Sequence, residues 1–100
     1  VYGISAIREL EQVNFHQTFL GVTGYSMKAG ITCGNNEEAM LKRTAIEQAE
    51  QVVVLMDASN TEFKSAYTIC GLADVDIIIS DGNLPKEFLL ACETHHITVY

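Results

Sequence analysis

The residues best suited to chemistry gather in one stretch, Phe19-Leu-Gly-Val-Thr-Gly-Tyr-Ser-Met-Lys-Ala-Gly-Ile-Thr32, and in two short segments after it. The stretch opens as an apolar strand and breaks into a loop with glycines at 21, 24 and 30. Glycines let a backbone approach a ligand closely and take dihedrals closed to other residues. In an α/β protein, the loop at a strand's carboxyl end is where ligands sit. The plain alternative is a strand-to-helix connection whose glycines only allow tight turning, since no phosphate-loop or dinucleotide spacing is present. Lys42 falls in the first two turns of the next helix, where its side chain can lean back toward the loop. Glu38, one turn earlier, can hold it. The same two residues also form an ordinary (i, i+4) surface pair, worth about 0.2–0.5 kcal/mol. Asp57-Ala-Ser-Asn60 then places a carboxylate and a hydroxyl at the end of a second apolar strand.

Other reactive side chains are less suggestive. Cys33, Cys70 and Cys92 are odd in number and lack metal-type spacing, so free thiols in a reducing cytoplasm are expected. Cys70 and Cys92 read as small buried apolar residues, and Cys33 lies in the glycine loop with nothing nearby to activate it. His95 and His96 are adjacent and point apart, with no carboxylate or cysteine spaced to share a metal. No metal or cofactor is expected.

The elements that must position these groups follow from periodicity. Gly3 to Leu10 reads as a short helix on the recurrence of Ile4, Ile7 and Leu10. Asn14 to Gln17 is a polar break before a strand from Phe19 to Val22. Asn35 caps a helix, with Glu38 in capping-box position. That helix is expected to run to about Gln51 with Leu41, Ala45 and Ala49 as its buried stripe. Val52 to Met56 is a continuous apolar run, the mark of a strand covered on both faces. Tyr67 to Cys70 reads as a short edge strand and Val75 to Ser80 as a buried one. Leu84-Pro85 opens a helix to about Thr94, and Ile97 to Tyr100 closes as a strand. This alternation predicts a three-layer α/β/α architecture with a mainly parallel sheet.

Composition sets the outer limits. The 100 residues, 48% hydrophobic and 19% charged, make one globular domain or part of one. The apolar runs are too short to span a bilayer, and no signal peptide is visible. A net charge of −7 with only six Lys and Arg argues against a grip on nucleic acid, which requires phosphate neutralisation. The opening, Val1-Tyr2-Gly3, lacks an initiator Met and starts mid-pattern, as expected of a fragment.

The order of motifs resembles a known family. Phe19-Leu-Gly-Val-Thr-Gly24, Gly30-Ile-Thr32, Glu38-Ala-Met-Leu-Lys42-Arg43, Val52-Val-Val-Leu-Met-Asp57-Ala-Ser59, Leu72 to Asp81 and Leu84-Pro85 stand in register. Together they are similar to the carboxyl-terminal effector domain of DeoR-family bacterial transcriptional repressors. The resemblance implies a fold similar to ribose-5-phosphate isomerase, glucosamine-6-phosphate deaminase and coenzyme A transferases. It also implies that the chain is the later part of that domain, incomplete at its amino-terminal side. A winged helix-turn-helix would lie outside this chain and make the DNA contact. The effector would be a phosphorylated sugar, and the protein a cytoplasmic homo-oligomer that does not meet a membrane.

By position, the resemblance implies that Thr23 and Gly24 line the sugar site and that Gly30 and Thr32 shape its lid. Lys42 would meet a phosphate or hydroxyl, held by Glu38, and Asp57 would bind a sugar hydroxyl or Lys42. Ser26 and Asn60 depart from the family's usual acidic or amide residue and its usual Lys. The related enzymes keep open a second function, a sugar-phosphate isomerase or deaminase on the same scaffold. Catalysis requires a positioned acid or base near the reacting carbon. The loop offers only Tyr25 and Ser26, so a sensor without catalytic residues is the reading carried forward.

Overall fold

A computed structural model describes residues 4–61 and 63–100. Helix α1 (Ile4–Leu10) precedes strand β1 (Phe15–Gly21) and a hairpin of β2 (Gly24–Ser26) and β3 (Gly30–Cys33). Helix α2 (Asn36–Gln48) leads directly into β4 (Ala49–Leu55). After a 3-10 turn at Ala58–Asn60 come β5 (Tyr67–Cys70) and β6 (Ile77–Ile79), then α3 (Lys86–Thr94) and β7 (Thr98–Val99). Strands β1-β4-β6-β7 form a sheet in that order, every pairing parallel. A smaller antiparallel sheet has the order β2-β3-β5. The fold is thus α/β and mainly parallel, as the apolar strands foretold.

Alternation along the strands determines where the core lies. Leu20, Val22, Val52, Val54, Met56 and Ile78 join Ala39 of α2 and Phe88 and Cys92 of α3 in one buried cluster. Tyr25, Ile31, Cys33 and Ile69 of the small sheet complete it. The Tyr25 ring meets Phe88 edge-on at a centroid distance of 4.9 Å. Helix α1 lies on the same side, where Ala6 and Leu10 line a cleft with Leu20 and Leu41. The intervening residues Phe19, Leu55 and Ile79 take the opposite face and stay 57%, 42% and 39% exposed. Parallel sheets are ordinarily covered on both sides. The described helices cover one.

Several boundaries differ from the sequence reading. The polar segment 14–17 is not a break, because β1 begins at Phe15 opposite Ala49. Its polar residues are accommodated across the ladder, with Gln17 donating to Gln51 and His16 Nδ1 lying 3.4 Å from Glu50. For the same reason α2 ends at Gln48 and not Gln51, since 49–51 belong to β4. The expected stripe Leu41, Ala45 and Ala49 gives way to Ala39 and Thr44 as the buried α2 residues, and Leu41 and Ala45 stay half-buried. The Thr44 hydroxyl donates to Met40 O at 3.0 Å, which satisfies it inside the helix. The glycine stretch is a paired hairpin, not an open loop. Cys33, placed by sequence in that loop, ends β3 at 1% exposure, and its thiol donates to Asn35 O at 3.3 Å. The expected start of α1 at Gly3 falls on a residue outside those described.

Candidate functional site

The site is built where the parallel strands end. Asn35 caps α2 by accepting the Glu38 N–H at 2.9 Å, so the helix starts beside the end of β3 with Glu38 in its first turn. Lys42, one turn on, reaches back as its helical geometry demands. Its ammonium donates to Gly21 O at 2.8 Å, on the last residue of β1, and lies 2.7 Å from Glu38 Oε2. Both side chains are about a fifth to a quarter exposed, at 21% and 24%. A lysine ammonium has three N–H donors, so two partners leave one for a ligand. Arg43, next along, takes the other direction and donates to Thr68 O on β5, not to Glu47.

Gly21 is paired with Leu55, two residues before Asp57, so the ends of β1 and β4 are level. Asp57 caps the 3-10 turn, its Oδ1 accepting the Ser59 N–H at 2.9 Å and the Ser59 hydroxyl. Asn60 closes that turn reciprocally, accepting the Asp57 N–H at 2.9 Å. Its other amide atom donates to Thr23 O at 3.2 Å. Asp81 follows β6 at the corresponding place, two residues beyond Ile79, the partner of Leu55. Asn60 was read from sequence as a departure from the family's usual Lys, and Asp81 as the end of the motif that opens at Leu72. Their nearness to Thr23 and Asp57 depends on strand register, which local pattern does not contain.

The seven residues singled out by sequence therefore divide. Thr23, Glu38, Lys42 and Asp57 come to the carboxyl edge of the sheet, partly or fully exposed. Gly24, Gly30 and Thr32 are occupied in holding the hairpin. A Cβ on Gly24 would lie 2.1 Å from Phe63 O and 2.8 Å from Thr32 Oγ1. Gly30 has φ +79°, and a Cβ there would lie 2.5 Å from Cys70 O. Thr32 is fully buried, its hydroxyl accepting the Ser65 N–H at 2.9 Å, while its carbonyl accepts from the Thr23 hydroxyl at 3.3 Å. These three are taken up by the hairpin's own packing and pairing.

A separate open hollow of about 660 Å³ lies between the hairpin and α3, lined by Met27, Gly30, Leu72, Glu87 and Leu90 among others. It lies away from the strand-end groups, and its wall is mostly apolar. Tyr25 borders it, and burial, then Cys92, raise its phenol above the usual value. Burial pushes the Cys92 thiol up to about 11, and burial with Asp74 pushes Cys70 up to about 12. Neither thiol is poised to act as a nucleophile near neutral pH. Among the described residues, no group of three or more His, Cys, Asp or Glu is arranged to hold a metal. No described helix is long and apolar enough to cross a membrane.

Comparison with known proteins agrees with the motif order. The chain is 31% identical over 97 residues to the HTH-type transcriptional regulator GlpR of Haloferax volcanii, covering 97% of this chain and 38% of the relative. It is 37% identical over 87 residues to the HTH-type transcriptional repressor GlcR of Bacillus subtilis, covering 87% and 33% respectively. To the L-fucose operon activator of Haemophilus influenzae it is 28% identical over 96 residues, covering 96% and 39%. The chain thus spans between a third and two fifths of the length of these relatives. A model of the DeoR C-terminal sensor domain matches residues 1–82. The chain belongs to the DeoR C-terminal sensor domain family.

Proposed function

We propose that this chain is the sensing part of a transcriptional regulator of sugar metabolism. A phosphorylated sugar binds at the carboxyl edge of the parallel sheet and changes how an attached helix-turn-helix domain holds DNA. The observation that carries the reading is the Lys42 ammonium, fixed between Gly21 O and Glu38 at the end of β1 with one donor left over. Thr23, two residues beyond Gly21, and the exposed Asp57, two residues beyond its ladder partner Leu55, add a hydroxyl and a carboxylate to the same edge. The acidic charge of −7 fits a module that leaves DNA contact to another domain. The sensor works in the cytoplasm as a homo-oligomer; the exposed apolar face at Phe19, Leu55 and Ile79 calls for cover by further protein. Catalysis on the same scaffold is disfavoured because Tyr25 is buried against Phe88 and holds its proton.

The test is titration of the intact regulator with sugars and sugar phosphates by calorimetry, followed by DNA-binding measurements. Binding that is lost in Asp57→Ala while the fold persists supports the site. Binding that survives both Asp57→Ala and Lys42→Met moves the effector elsewhere.

A further inference from the structure

Asn60 joins the two arms of this edge. One amide atom accepts the Asp57 N–H at 2.9 Å while the other donates to Thr23 O at 3.2 Å. Only an amide can do both at once at this length: a carboxylate accepts without donating, and an ammonium donates without accepting. Asp57 meanwhile uses Oδ1 for Ser59, and its Oδ2 has no hydrogen bond among the described residues. The free oxygen therefore sits on a turn braced from both sides.

The charge along the edge bears on what that oxygen can meet. Glu38 already answers Lys42, and Asp57 and Asp81 end neighbouring strands whose residues Leu55 and Ile79 are paired. Asn60 adds no cation. Carboxylates accept hydrogen bonds from hydroxyls, whereas a dianionic phosphate brought to the same edge meets like charge.

Resting on the sensing role above, we propose that Asn60 is a positioning residue, an uncharged clamp that holds Asp57 against the Thr23 loop so that this edge takes the hydroxyl-bearing, uncharged part of the sugar. The effector's phosphate is then bound away from Asp57.

Two measurements on the intact protein test it. In hydrogen exchange, Asn60→Ala speeds exchange of the segments at 22–24 and 57–61 at least tenfold. Asn60→Asp, which keeps an acceptor for the Asp57 N–H, frees only the 22–24 segment. Unchanged exchange in Asn60→Ala overturns the clamp. In titrations with pentoses, hexoses, their phosphates and inorganic phosphate, Asn60→Ala weakens free sugars and sugar phosphates by the same factor, tenfold or more, with secondary structure unchanged. Inorganic phosphate binding does not respond to Asn60 or Asp57. A loss confined to phosphorylated ligands, or phosphate binding that depends on Asp57, refutes the assignment of the edge to hydroxyls. If no sugar or sugar phosphate binds the unaltered protein, the sensing reading fails and takes the ligand assignment with it, while exchange still decides the clamp.

Discussion

Replacing Lys42 by Met separates a binding role from a surface pair. Methionine keeps much of the aliphatic stem and removes only the ammonium, so packing along α2 is largely retained. Two contacts go: the bond to Gly21 O at 2.8 Å and the pair with Glu38 at 2.7 Å. With side-chain exposures of 21% and 24%, solvent screens the pair, which limits it to about 0.2–1 kcal/mol. A hydrogen bond from a charged donor contributes about 1.5–3 kcal/mol, and hydration of the exposed Gly21 brings this one toward the low end. The fold should thus weaken by about 2 kcal/mol, a shift in melting that leaves it intact. The third ammonium donor is a different matter, because it matters only when a ligand is present. Losing one charge-assisted bond to a ligand oxygen costs about 1.5–3 kcal/mol, roughly tenfold to a hundredfold in affinity. Calorimetric titration with a sugar panel, alongside a melting curve, reads the two effects separately. A folded Lys42→Met protein with unaltered effector affinity would falsify the binding role and return Lys42 to the helix surface.

Four further outcomes are expected. Gly24→Ala drives a Cβ to within 2.1 Å of Phe63 O and should destabilise by about 3 kcal/mol or more, whereas Gly34→Ala, with open space, should change chemical-denaturation midpoints little. The 100-residue chain on its own should self-associate through its exposed sheet face, and Phe19→Lys should shift sedimentation toward monomer; a cleanly monomeric parent chain would contradict this. Because burial raises the Cys70 and Cys92 thiols to about 12 and about 11, their unfolded forms ionise first, so stability present below about pH 9 should fall as pH climbs from there toward 11–12. Cys92→Ala should flatten that alkaline slope in melting curves. No isomerisation of ribose 5-phosphate or deamination of glucosamine 6-phosphate is expected of the intact protein, since Tyr25 stays protonated in the core; turnover abolished by changing Asp57 would reverse that conclusion.

What could be read from sequence and what could not differ by the range of the interaction. The Asn35 cap and the Glu38–Lys42 pair are contacts of three and four residues, and both are present at 2.9 Å and 2.7 Å. The apolar strands were legible because full burial leaves a continuous run, as at Val52 to Val54. The start of β1 was not, since His16 and Gln17 are strand residues only by virtue of Glu50 and Gln51 opposite them. Asn60 was legible only as a missing cation, because the partner that gives it a task, Thr23, lies 37 residues away. The division of the glycines had the same origin. Gly24 and Gly30 need their missing side chains for Phe63 and Cys70, neighbours that sequence spacing does not reveal.

The location of Lys42 follows from lengths alone once register is known. Helix α2 has 13 residues and passes into the seven-residue strand β4 without a loop. At about 1.5 Å per residue the helix is about 20 Å long, and at about 3.3 Å per residue the strand is about 20–23 Å long. A helix folded back along a strand of equal length starts level with the strand's carboxyl end. Six residues into α2, Lys42 lies about 9 Å short of that end, and its side chain points toward the helix start. The parallel ladder sets Gly21 opposite Leu55, so the ammonium meets the last carbonyl of β1. A loop inserted between Gln48 and Ala49 would slide α2 along the sheet and part Lys42 from Gly21 without touching either residue. The site is therefore specified as much by the absence of a connection there as by the polar side chains at the edge.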